Sequence, residues 1–327
     1  MIISRTPFRL SLVGGGSDFP DYYRTRPGAV VSLAIDRHMY VTVNRRFDDT
    51  IRVSYTKTQI AEHVDDLEHG LIREALKRTG VTKGVEVTTI ADLPAGIGLG
   101  SSSSLTVGVL NALFAYKGLY VAADKLAQIA CEIEIDVLQS PIGKQDQYIA
   151  AYGGLQHIRF NSNDTVTVEP VVCRPQVRAR LLESLLLFYT GMHRDAPSVL
   201  GEVRDKIRTV PAAGEALDNL VALVDELLRM FSRGHISGVG ELLSRSWALK
   251  KQMGSRVTND ELEDLYLRAM KAGANGGKVA GAGGGGCLLL YVEPDARASV
   301  RDAMRRRGLR EIPLDIDPDG CKIVFAG

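Results

Sequence analysis

Cysteine is scarce in this chain of 327 residues, and its four cysteines lie far apart without any Cys-x-x-Cys pair. That spacing fits neither a zinc site nor a disulfide framework, and it is typical of proteins in a reducing compartment. The six histidines show no His-Glu-x-x-His or similar ligand spacing. A transition-metal site built from protein side chains is therefore not expected.

An excess of either charge is also missing, because 40 basic residues stand against 39 acidic ones, for a net charge of +1. Proteins that bind DNA or RNA through the phosphates need a basic surface, so we expect no nucleic-acid partner. The arginine-rich run at 305–310 is interpreted as a solvated helix face.

No apolar run is suited to crossing a membrane. The long uncharged stretch at 93–116 contains a proline, three glycines and four serines in its first half, so that half cannot be a lipid-facing helix. Arg5 and Arg9 lie where a signal peptide needs its apolar centre. The sequence therefore predicts a cytoplasmic protein without a membrane segment.

Strand and helix patterns are mixed without strict alternation, which predicts an α+β fold rather than a doubly wound parallel sheet. Strand-like runs dominate the first part of the chain, and long helical patterns dominate the second. Among the individual predictions are the strands Val30–Ile35, Met39–Asn44 and Leu185–Tyr189 and a helix spanning about Ala122–Leu138. A proline interrupts the pattern within 173–176. We predict one domain over residues 1–174 and a second over residues 175–327.

Residues 94–104 read Pro-Ala-Gly-Ile-Gly-Leu-Gly-Ser-Ser-Ser-Ser and lead into an apolar helix, predicted from Leu105 to Tyr116. Glycines let the backbone approach a ligand closely, and the free amides at a helix start favour a polyphosphate. A flexible surface loop with serine caps is the alternative. No Gly-x-x-x-x-Gly-Lys-Ser/Thr sequence occurs, so this is not a Walker-type loop.

A second glycine-rich segment, Lys-Val-Ala-Gly-Ala-Gly-Gly-Gly-Gly-Cys at 278–287, contains a formal Gly-x-Gly-x-x-Gly match. A dinucleotide-binding fold needs a helix after that match, whereas the residues that follow here read as a strand. We therefore interpret the segment as a close approach of backbone to backbone, or of backbone to a ligand.

A third segment, Pro-Phe-Arg-Leu-Ser-Leu-Val-Gly-Gly-Gly-Ser-Asp-Phe-Pro at 7–20, predicts a strand that carries Arg9 into a glycine turn. The turn presents Ser17 and Asp18. Taken alone, this pattern is equally compatible with a hairpin that carries a surface ion pair.

The three segments together, in this order, resemble the three sequence motifs of the galactokinase, homoserine kinase, mevalonate kinase and phosphomevalonate kinase (GHMP) superfamily. The resemblance implies an N-terminal, ribosomal-protein-like α+β domain with a left-handed βαβ crossover, and a ferredoxin-like C-terminal domain. ATP is then expected between the domains. The residues implied to bind its phosphates are Gly96, Gly98, Gly100, Ser101, Ser102, Ser103 and Ser104.

A fourth segment, Pro-Ile-Gly-Lys-Gln-Asp-Gln at 141–147, matches the surroundings of the general base in sugar 1-kinases of this superfamily. The resemblance implies that Asp146 is the catalytic base and that Glu134, twelve positions earlier, binds Mg²⁺ together with Ser102. Arg9 matches a basic residue that pairs with the catalytic aspartate, and Lys144 is a second candidate for that cation. Taken singly, Glu134 or Asp136 on a polar helix face would more often be a solvated charge.

Within the superfamily, these segments look most like the D-glycero-D-manno-heptose 7-phosphate kinases, which phosphorylate the anomeric hydroxyl of a sugar phosphate. Galactokinases carry Glu-His where this chain has Gly15 and Gly16, which counts against galactose. The expected substrate-binding residues are Ser17, Asp18, Arg194, Gly283 and Gly284, and Lys250 is a further candidate for the distal phosphate.

Other functions stay open at this point. A fucokinase-like or other sugar 1-kinase shares much of the motif vocabulary, and a catalytically inactive sugar sensor is an alternative from a different class. The presence of Arg9, Ser102, Glu134 and Asp146 counts against a sensor, which needs neither a base nor a metal pair. An RNA-binding module has only fold analogy in its favour. The expected ligands are ATP, Mg²⁺ and a sugar phosphate, and a homodimer is left open.

Overall fold

A computed structural model describes residues 1–192 and 196–327, and within them the chain forms twelve strands and eleven α-helices. The strands are β1 (Ile2–Val13), β2 (Gly28–Arg45), β3 (Ile51–Ser54), β4 (Thr58–Ala61), β5 (Val85–Ala91), β6 (Leu155–Phe160), β7 (Val166–Pro170), β8 (Leu185–Tyr189), β9 (Gly276–Val279), β10 (Cys287–Tyr291), β11 (Arg310–Ile312) and β12 (Lys322–Ala326). The helices are α1 (Pro20–Tyr23), α2 (Gly70–Thr79), α3 (Ser101–Tyr116), α4 (Ala123–Cys131), α5 (Gln145–Tyr152), α6 (Pro175–Ser184), α7 (Ala196–Thr209), α8 (Pro211–Arg233), α9 (Val239–Gln252), α10 (Asp260–Lys271) and α11 (Arg297–Arg305).

The first sheet contains eight strands in the order β12-β1-β2-β5-β3-β4, and β6 and β7 continue from β2. Strand β2 is long enough to pair with β6 along its first half and with β5 along its second half. The parallel pair β3 and β5 is connected through α2, while the other pairings in this sheet are antiparallel. This mixed sheet confirms the predicted α+β class.

Helix α3 is the central helix of the first half, since it packs on β1 and β2 and contacts α2, α4 and α5. Because partners surround it, its residues from Ser103 to Leu110 are all buried, as the apolar sequence requires. The helix begins at Ser101, so the predicted start at Leu105 is wrong. The serines form the first turn of the helix instead of a preceding loop.

The second sheet has the order β11-β8-β10-β9 with all pairings antiparallel. Numbered along the chain, these strands follow the order 4-1-3-2 with helices in the first and third connections, which confirms the ferredoxin-like C-terminal domain. The last strand, β12, returns to the first sheet beside β1. The domain boundary after residue 174 stays a prediction. No described helix is long and apolar enough to cross a bilayer.

Candidate active site

The centre of the site is an ion pair between Arg9 on β1 and Asp146 in the first turn of α5. Arg9 Nε lies 2.6 Å from Asp146 Oδ1, and Arg9 Nη2 lies 2.7 Å from Oδ2. This two-pronged contact fixes the orientation of both side chains, because the planar guanidinium matches the carboxylate. Arg9 is 6% exposed, so the pair lies largely out of water.

The glycine-rich loop that precedes α3 closes over this ion pair. Gly96, Gly98 and Gly100 all have positive φ, between 76° and 88°, where other residues are strained. A β-carbon on Gly100 would lie 3.0 Å from Arg9 Cγ and 3.2 Å from Asp146 Oδ2. Arg9 also donates from Nη1 to the carbonyl oxygen of Gly98 at 2.6 Å. The loop is thereby held against the pair, and it delivers the start of α3 beside Asp146.

The four serines that open α3 point in different directions, because successive helical residues are rotated by about 100°. Ser101 and Ser102 line a large cavity, and Ser102 is exposed. Ser104 is buried and donates to the carbonyl oxygen of Pro7 at 2.8 Å. Ser103 is also buried, and its hydroxyl is used within the protein. Only two of the four predicted phosphate-binding hydroxyls therefore face the cavity, although the first amides of the helix remain available there.

Glu134 lies in a π-helical turn, Glu132–Val137, that follows α4 directly. The sequence predicts a continuous helix here, and the wide turn is a local departure of the kind found at functional sites. Ser103 Oγ donates to Glu134 Oε2 at 3.1 Å, so Ser103 rather than Ser102 contacts this carboxyl group. Glu134 is 1% exposed, and its Oε1 has no hydrogen-bond partner among the described residues. Burial and the nearby charge of Asp146 raise the pKa of Glu134 to about 7.

Two cavities meet at the ion pair. The larger is lined by the glycine-rich loop, Ser102 and Glu134. The smaller is lined by Gly15, Gly16 and Asp18 together with side chains of the C-terminal half. Arg9 and Asp146 line both cavities. A group bound in one cavity can therefore meet a group bound in the other at the Asp146 carboxylate.

Asp18 is fixed in the wall of the smaller cavity. Its Oδ1 accepts from the amide of Gly16 at 3.0 Å, and its Oδ2 accepts from the amide of Gln145 at 3.2 Å. Burial and the charge of Asp146 raise the pKa of Asp18, and the two amides oppose that rise. Gly143 packs against the carboxyl group, because a β-carbon there would lie 2.0 Å from Oδ2. Asp18 is thus presented to the cavity in one orientation.

Family comparisons agree with this geometry. The model of the GHMP kinase N-terminal domain matches residues 66–154, and the model of the GHMP kinase C-terminal domain matches residues 219–309. The chain belongs to the GHMP kinases. This confirms the predicted superfamily and fold, and with them an enzyme that uses ATP.

Among curated relatives of this GHMP kinase is the D-glycero-alpha-D-manno-heptose 7-phosphate kinase of Campylobacter jejuni, 29% identical over 320 residues and 93% of each chain. The L-fucokinase/L-fucose-1-P guanylyltransferase of Bacteroides fragilis is 27% identical over 92% of this chain and 35% of that protein. A solved D-glycero-D-manno-heptose 1-phosphate kinase from Bacteroides thetaiotaomicron matches with a TM-score of 0.83, 26% identity and full coverage of both chains. The predicted enzyme class, an ATP-dependent sugar kinase, is confirmed.

The remaining predicted residues of the kinase lie in several places. Ser17 is buried beneath the turn, where its hydroxyl donates to Gly14 O at 2.8 Å and accepts from the amide of Ala29 at 3.0 Å. Lys144 Nζ lies 3.5 Å from Asp164 Oδ1 and over the ring of Tyr23. Of the two candidate cations, Arg9 is therefore the one that contacts Asp146. Arg194 lies outside the described residues.

The third motif supplies backbone packing as well as part of the cavity wall. β-carbons on Gly283 and Gly284 would lie 2.4 Å from Val257 O and 2.8 Å from Arg256 O. These two glycines make close backbone contacts and do not line either of the two cavities, whereas Gly281 and Ala282 line the smaller one. Lys250 also lines the smaller cavity, and its amine donates to the carbonyl oxygen of Gly281.

Sequence reasoning missed two side chains of the kinase site, Gln145 and Lys278, and it predicted Ser103 only as a phosphate-binding residue. Ser103 was grouped with its neighbouring serines, and only the helical phase separates them. Gln145 lies beside the predicted base and donates from Nε2 to Asp18 Oδ1 at 3.2 Å. Lys278 stands at the head of the third motif within a strand whose four residues are all buried. A lone lysine in such an apolar strand is a signal that could have been noticed.

Proposed function

We propose that this kinase transfers the γ-phosphoryl group of ATP to the anomeric hydroxyl of D-glycero-D-manno-heptose 7-phosphate, giving the 1,7-bisphosphate. The observation that carries the proposal is the Arg9–Asp146 pair at the junction of two cavities. The similarity to the heptose 7-phosphate kinase of Campylobacter jejuni supports the choice of acceptor.

The larger cavity is assigned to the nucleotide. Its wall combines the positive-φ glycines of the loop with the free amides at the start of α3, where the helix dipole favours negative charge. The side chains of Met39, Leu71 and Leu138 give the same cavity an apolar region for the base. The triphosphate then extends along the loop towards Asp146.

The smaller cavity is assigned to the sugar. Gly15 and Gly16 leave its floor without side chains, and β-carbons there would lie 3.5 Å from Ser11 Oγ and 3.2 Å from Leu217 Cδ2. Asp18 offers carboxylate oxygens as acceptors for sugar hydroxyls. This combination suits a sugar larger than a hexose that reaches Asp146 through its anomeric hydroxyl.

The chemistry assigned to Asp146 is to orient the acceptor hydroxyl and accept its proton. A bond forms between that oxygen and the γ-phosphorus, the bond from the γ-phosphorus to the bridging oxygen breaks, and ADP leaves. Phosphoryl transfer depends mainly on positioning and charge stabilisation. Arg9 holds the carboxylate in place, and its guanidinium supplies positive charge beside the transferred group.

Mg²⁺ fits the residues present, because the buried carboxyl group of Glu134 has an unpartnered Oε1 in the wall of the nucleotide cavity. Glu134 and the exposed hydroxyl of Ser102 are the residues proposed to hold it. Oxygen ligands of this kind, few in number and completed by phosphates and water, are what Mg²⁺ prefers. When bound, the ion neutralises charge on the triphosphate.

The two heptose kinases named above differ in the position that their names assign to the existing phosphate. The test is therefore a coupled assay of ADP release with heptose 7-phosphate, heptose 1-phosphate, mannose 6-phosphate, galactose and fucose. The product's ³¹P–¹H couplings then identify the new phosphate ester. We expect heptose 7-phosphate to have the highest kcat/KM and the new phosphate to lie on the anomeric carbon.

A fucose kinase is the second candidate, since the Bacteroides fragilis fucokinase matches 92% of this chain. The highest kcat/KM with free fucose or galactose would contradict the heptose proposal and leave the kinase assignment intact. Turnover of none of these sugars, with ATP still bound, would favour a sugar sensor.

A further inference from the structure

Lys278 is a buried lysine that the proposed chemistry does not use. It lies on β9 in the C-terminal half, is 4% exposed and reaches across to β1. Its Nζ donates to the carbonyl oxygens of Ser11 at 3.1 Å and Leu12 at 3.0 Å. The register of β1 against β2 shifts between Ser11 and Val13, so two consecutive carbonyl groups are available there.

The amine of Lys278 lacks a counter-charge. Among the described residues no carboxylate forms an ion pair with it, although an ammonium group can donate three hydrogen bonds. Burial is the main cause that lowers the pKa of Lys278 to about 7, and the positive charge of Arg9 contributes to the same shift. A buried ammonium group without an anion is unfavourable, and binding an anion removes that penalty.

The charged groups that share the cavity with Lys278 are already engaged. Asp146 is paired with Arg9 on both carboxylate oxygens, and Asp18 accepts from two backbone amides. Lys250, on α9, adds a second amine to the same wall. The C-terminal half thus contributes two amines to the wall of the smaller cavity.

The hydroxyl group of Ser11, the residue whose carbonyl oxygen accepts from Lys278, also has no hydrogen-bond partner among the described residues. Ser11 Oγ is buried and lines the same cavity. A hydroxyl group that faces a cavity without a partner is satisfied when a ligand oxygen accepts its proton. Lys278 and Ser11 therefore point to one oxygen-rich group.

We propose that Lys278, with Ser11 beside it, binds a negatively charged group of the acceptor, so that the kinase selects sugars that already carry a phosphate. This inference rests on the proposed function and names the residue that gives the acceptor preference. Lys278 belongs to the second sheet, so the C-terminal half contributes the charge that selects the acceptor, while the first half contributes the base.

The test compares Lys278→Met with wild type on a sugar phosphate and on the same sugar without its phosphate. We expect kcat/KM for the phosphorylated sugar to fall by roughly 100-fold, because one partner of a buried charged contact is removed. The value for the unphosphorylated sugar should change by less than about threefold, which is within the scale of ordinary side-chain contacts. The KM for ATP should stay the same. Lys271→Met, at an exposed lysine of α10, is the control and should change none of these values.

Equal losses on both sugars would overturn the inference and leave Lys278 as a contact between the two sheets. Failure of the proposed function is a separate result, because it shows in the wild type as a lack of turnover of every sugar phosphate. A wild type that prefers the unphosphorylated sugar would overturn both.

A second measurement follows proton uptake by the wild type and by Lys278→Arg. With a pKa of about 7, Lys278 in the free enzyme is mostly neutral at pH 8, and a bound anion raises that pKa. Binding of the sugar phosphate should therefore take up a proton, approaching roughly nine-tenths of one per site at pH 8. Calorimetry in buffers of different ionisation enthalpy counts this proton. No uptake in the wild type, or the same uptake in Lys278→Arg, would overturn the inference.

Discussion

The two cavities of the site are built in different ways. The nucleotide side draws its polar wall mainly from the backbone of one continuous segment, the glycine-rich loop and the first turn of α3. The acceptor side draws its polar groups from side chains on separate elements: β1, the turn before α1, α5, α9 and β9. Arg9 and Asp146, which line both, come from β1 and α5.

This difference explains why the nucleotide side is easier to predict from the sequence than the acceptor side. A site made from consecutive amides needs glycines and a helix start at fixed spacing, which one segment can display. A site made from distant side chains is assembled only by the tertiary fold. Family members can therefore keep one side and vary the other, as the range of acceptors named among the relatives illustrates.

The largest effect is expected where the two sides meet. Asp146→Asn removes the proton acceptor and weakens the contact with Arg9, so turnover should fall by roughly 100-fold or more. The dissociation constant of ATP should stay near that of the wild type, because the role proposed for Asp146 is on the acceptor hydroxyl and not on the nucleotide. Single-turnover kinetics and nucleotide titrations separate the two quantities. An Asn variant with unchanged chemistry would remove Asp146 as the base.

A smaller effect, confined to the nucleotide side, is expected from Glu134→Gln. Loss of the carboxylate should raise the Mg²⁺ concentration for half-maximal rate by roughly tenfold. Ser102→Ala should raise it less, since only a neutral ligand is lost. Ser103→Ala should also have a measurable effect, because Ser103 orients the carboxyl group. Magnesium titrations at fixed ATP measure all three, and an unchanged titration for Glu134→Gln would direct attention to Glu132 or Asp136.

On the acceptor side, Asp18→Asn should raise the KM for the sugar by roughly tenfold with little change in the KM for ATP. The amides of Gly16 and Gln145 donate to both carboxylate oxygens, and an asparagine NH₂ cannot accept from one of them. Steady-state kinetics with each substrate varied in turn provides the measurement. Equal increases in both KM values would show that the two sides are coupled through this residue.

The smallest effect on catalysis is expected away from both sides, at Gly108 in α3. A β-carbon there would lie 2.7 Å from Thr6 Oγ1, where the helix crosses β1 closely. Gly108→Ala should therefore lower the free energy of unfolding by about 1–3 kcal/mol, although alanine normally favours a helix. Gly201→Ala, in α7, is the matched control, because its β-carbon would meet nothing within 4 Å. The midpoint temperature of thermal unfolding should fall in Gly108→Ala and rise slightly in Gly201→Ala.

Much of the fold was predictable, because the periodic patterns match the elements they produce. Leu185–Tyr189 was predicted with the bounds observed, and the superfamily resemblance gave the ferredoxin-like sheet. The two strands predicted around Val30 and Met39 form one long β2, since a register irregularity opposite His38 bends the strand without ending it. Short edge strands such as β4 and β11 carry too few residues for a pattern to show.

The site was predictable where local sequence determines it. The loop, Asp146 and Arg9 follow from motifs, and the structure brings them within hydrogen-bond distance. Ser102 and Glu134 stay a prediction as the pair that holds Mg²⁺. The hydroxyl that contacts the Glu134 carboxyl group directly is that of Ser103, because helical phase and a π-helical turn decide which hydroxyl reaches it. The roles proposed for Gly283 and Gly284 in substrate binding stay predictions, and their positions show close backbone packing.

The pairing of β12 with β1 also bears on the order in which the protein can fold during synthesis. Residues 2–5 pair with residues 322–326. Strand β1, which carries Arg9, can therefore pair with β12 only after residues 322–326 have left the ribosome. Contacts of such long sequence separation form late and slow the folding of a domain. A nascent chain stalled before β12 should therefore expose the open edge of β1 to chaperones, and it should acquire protease resistance only when residues 322–326 are released.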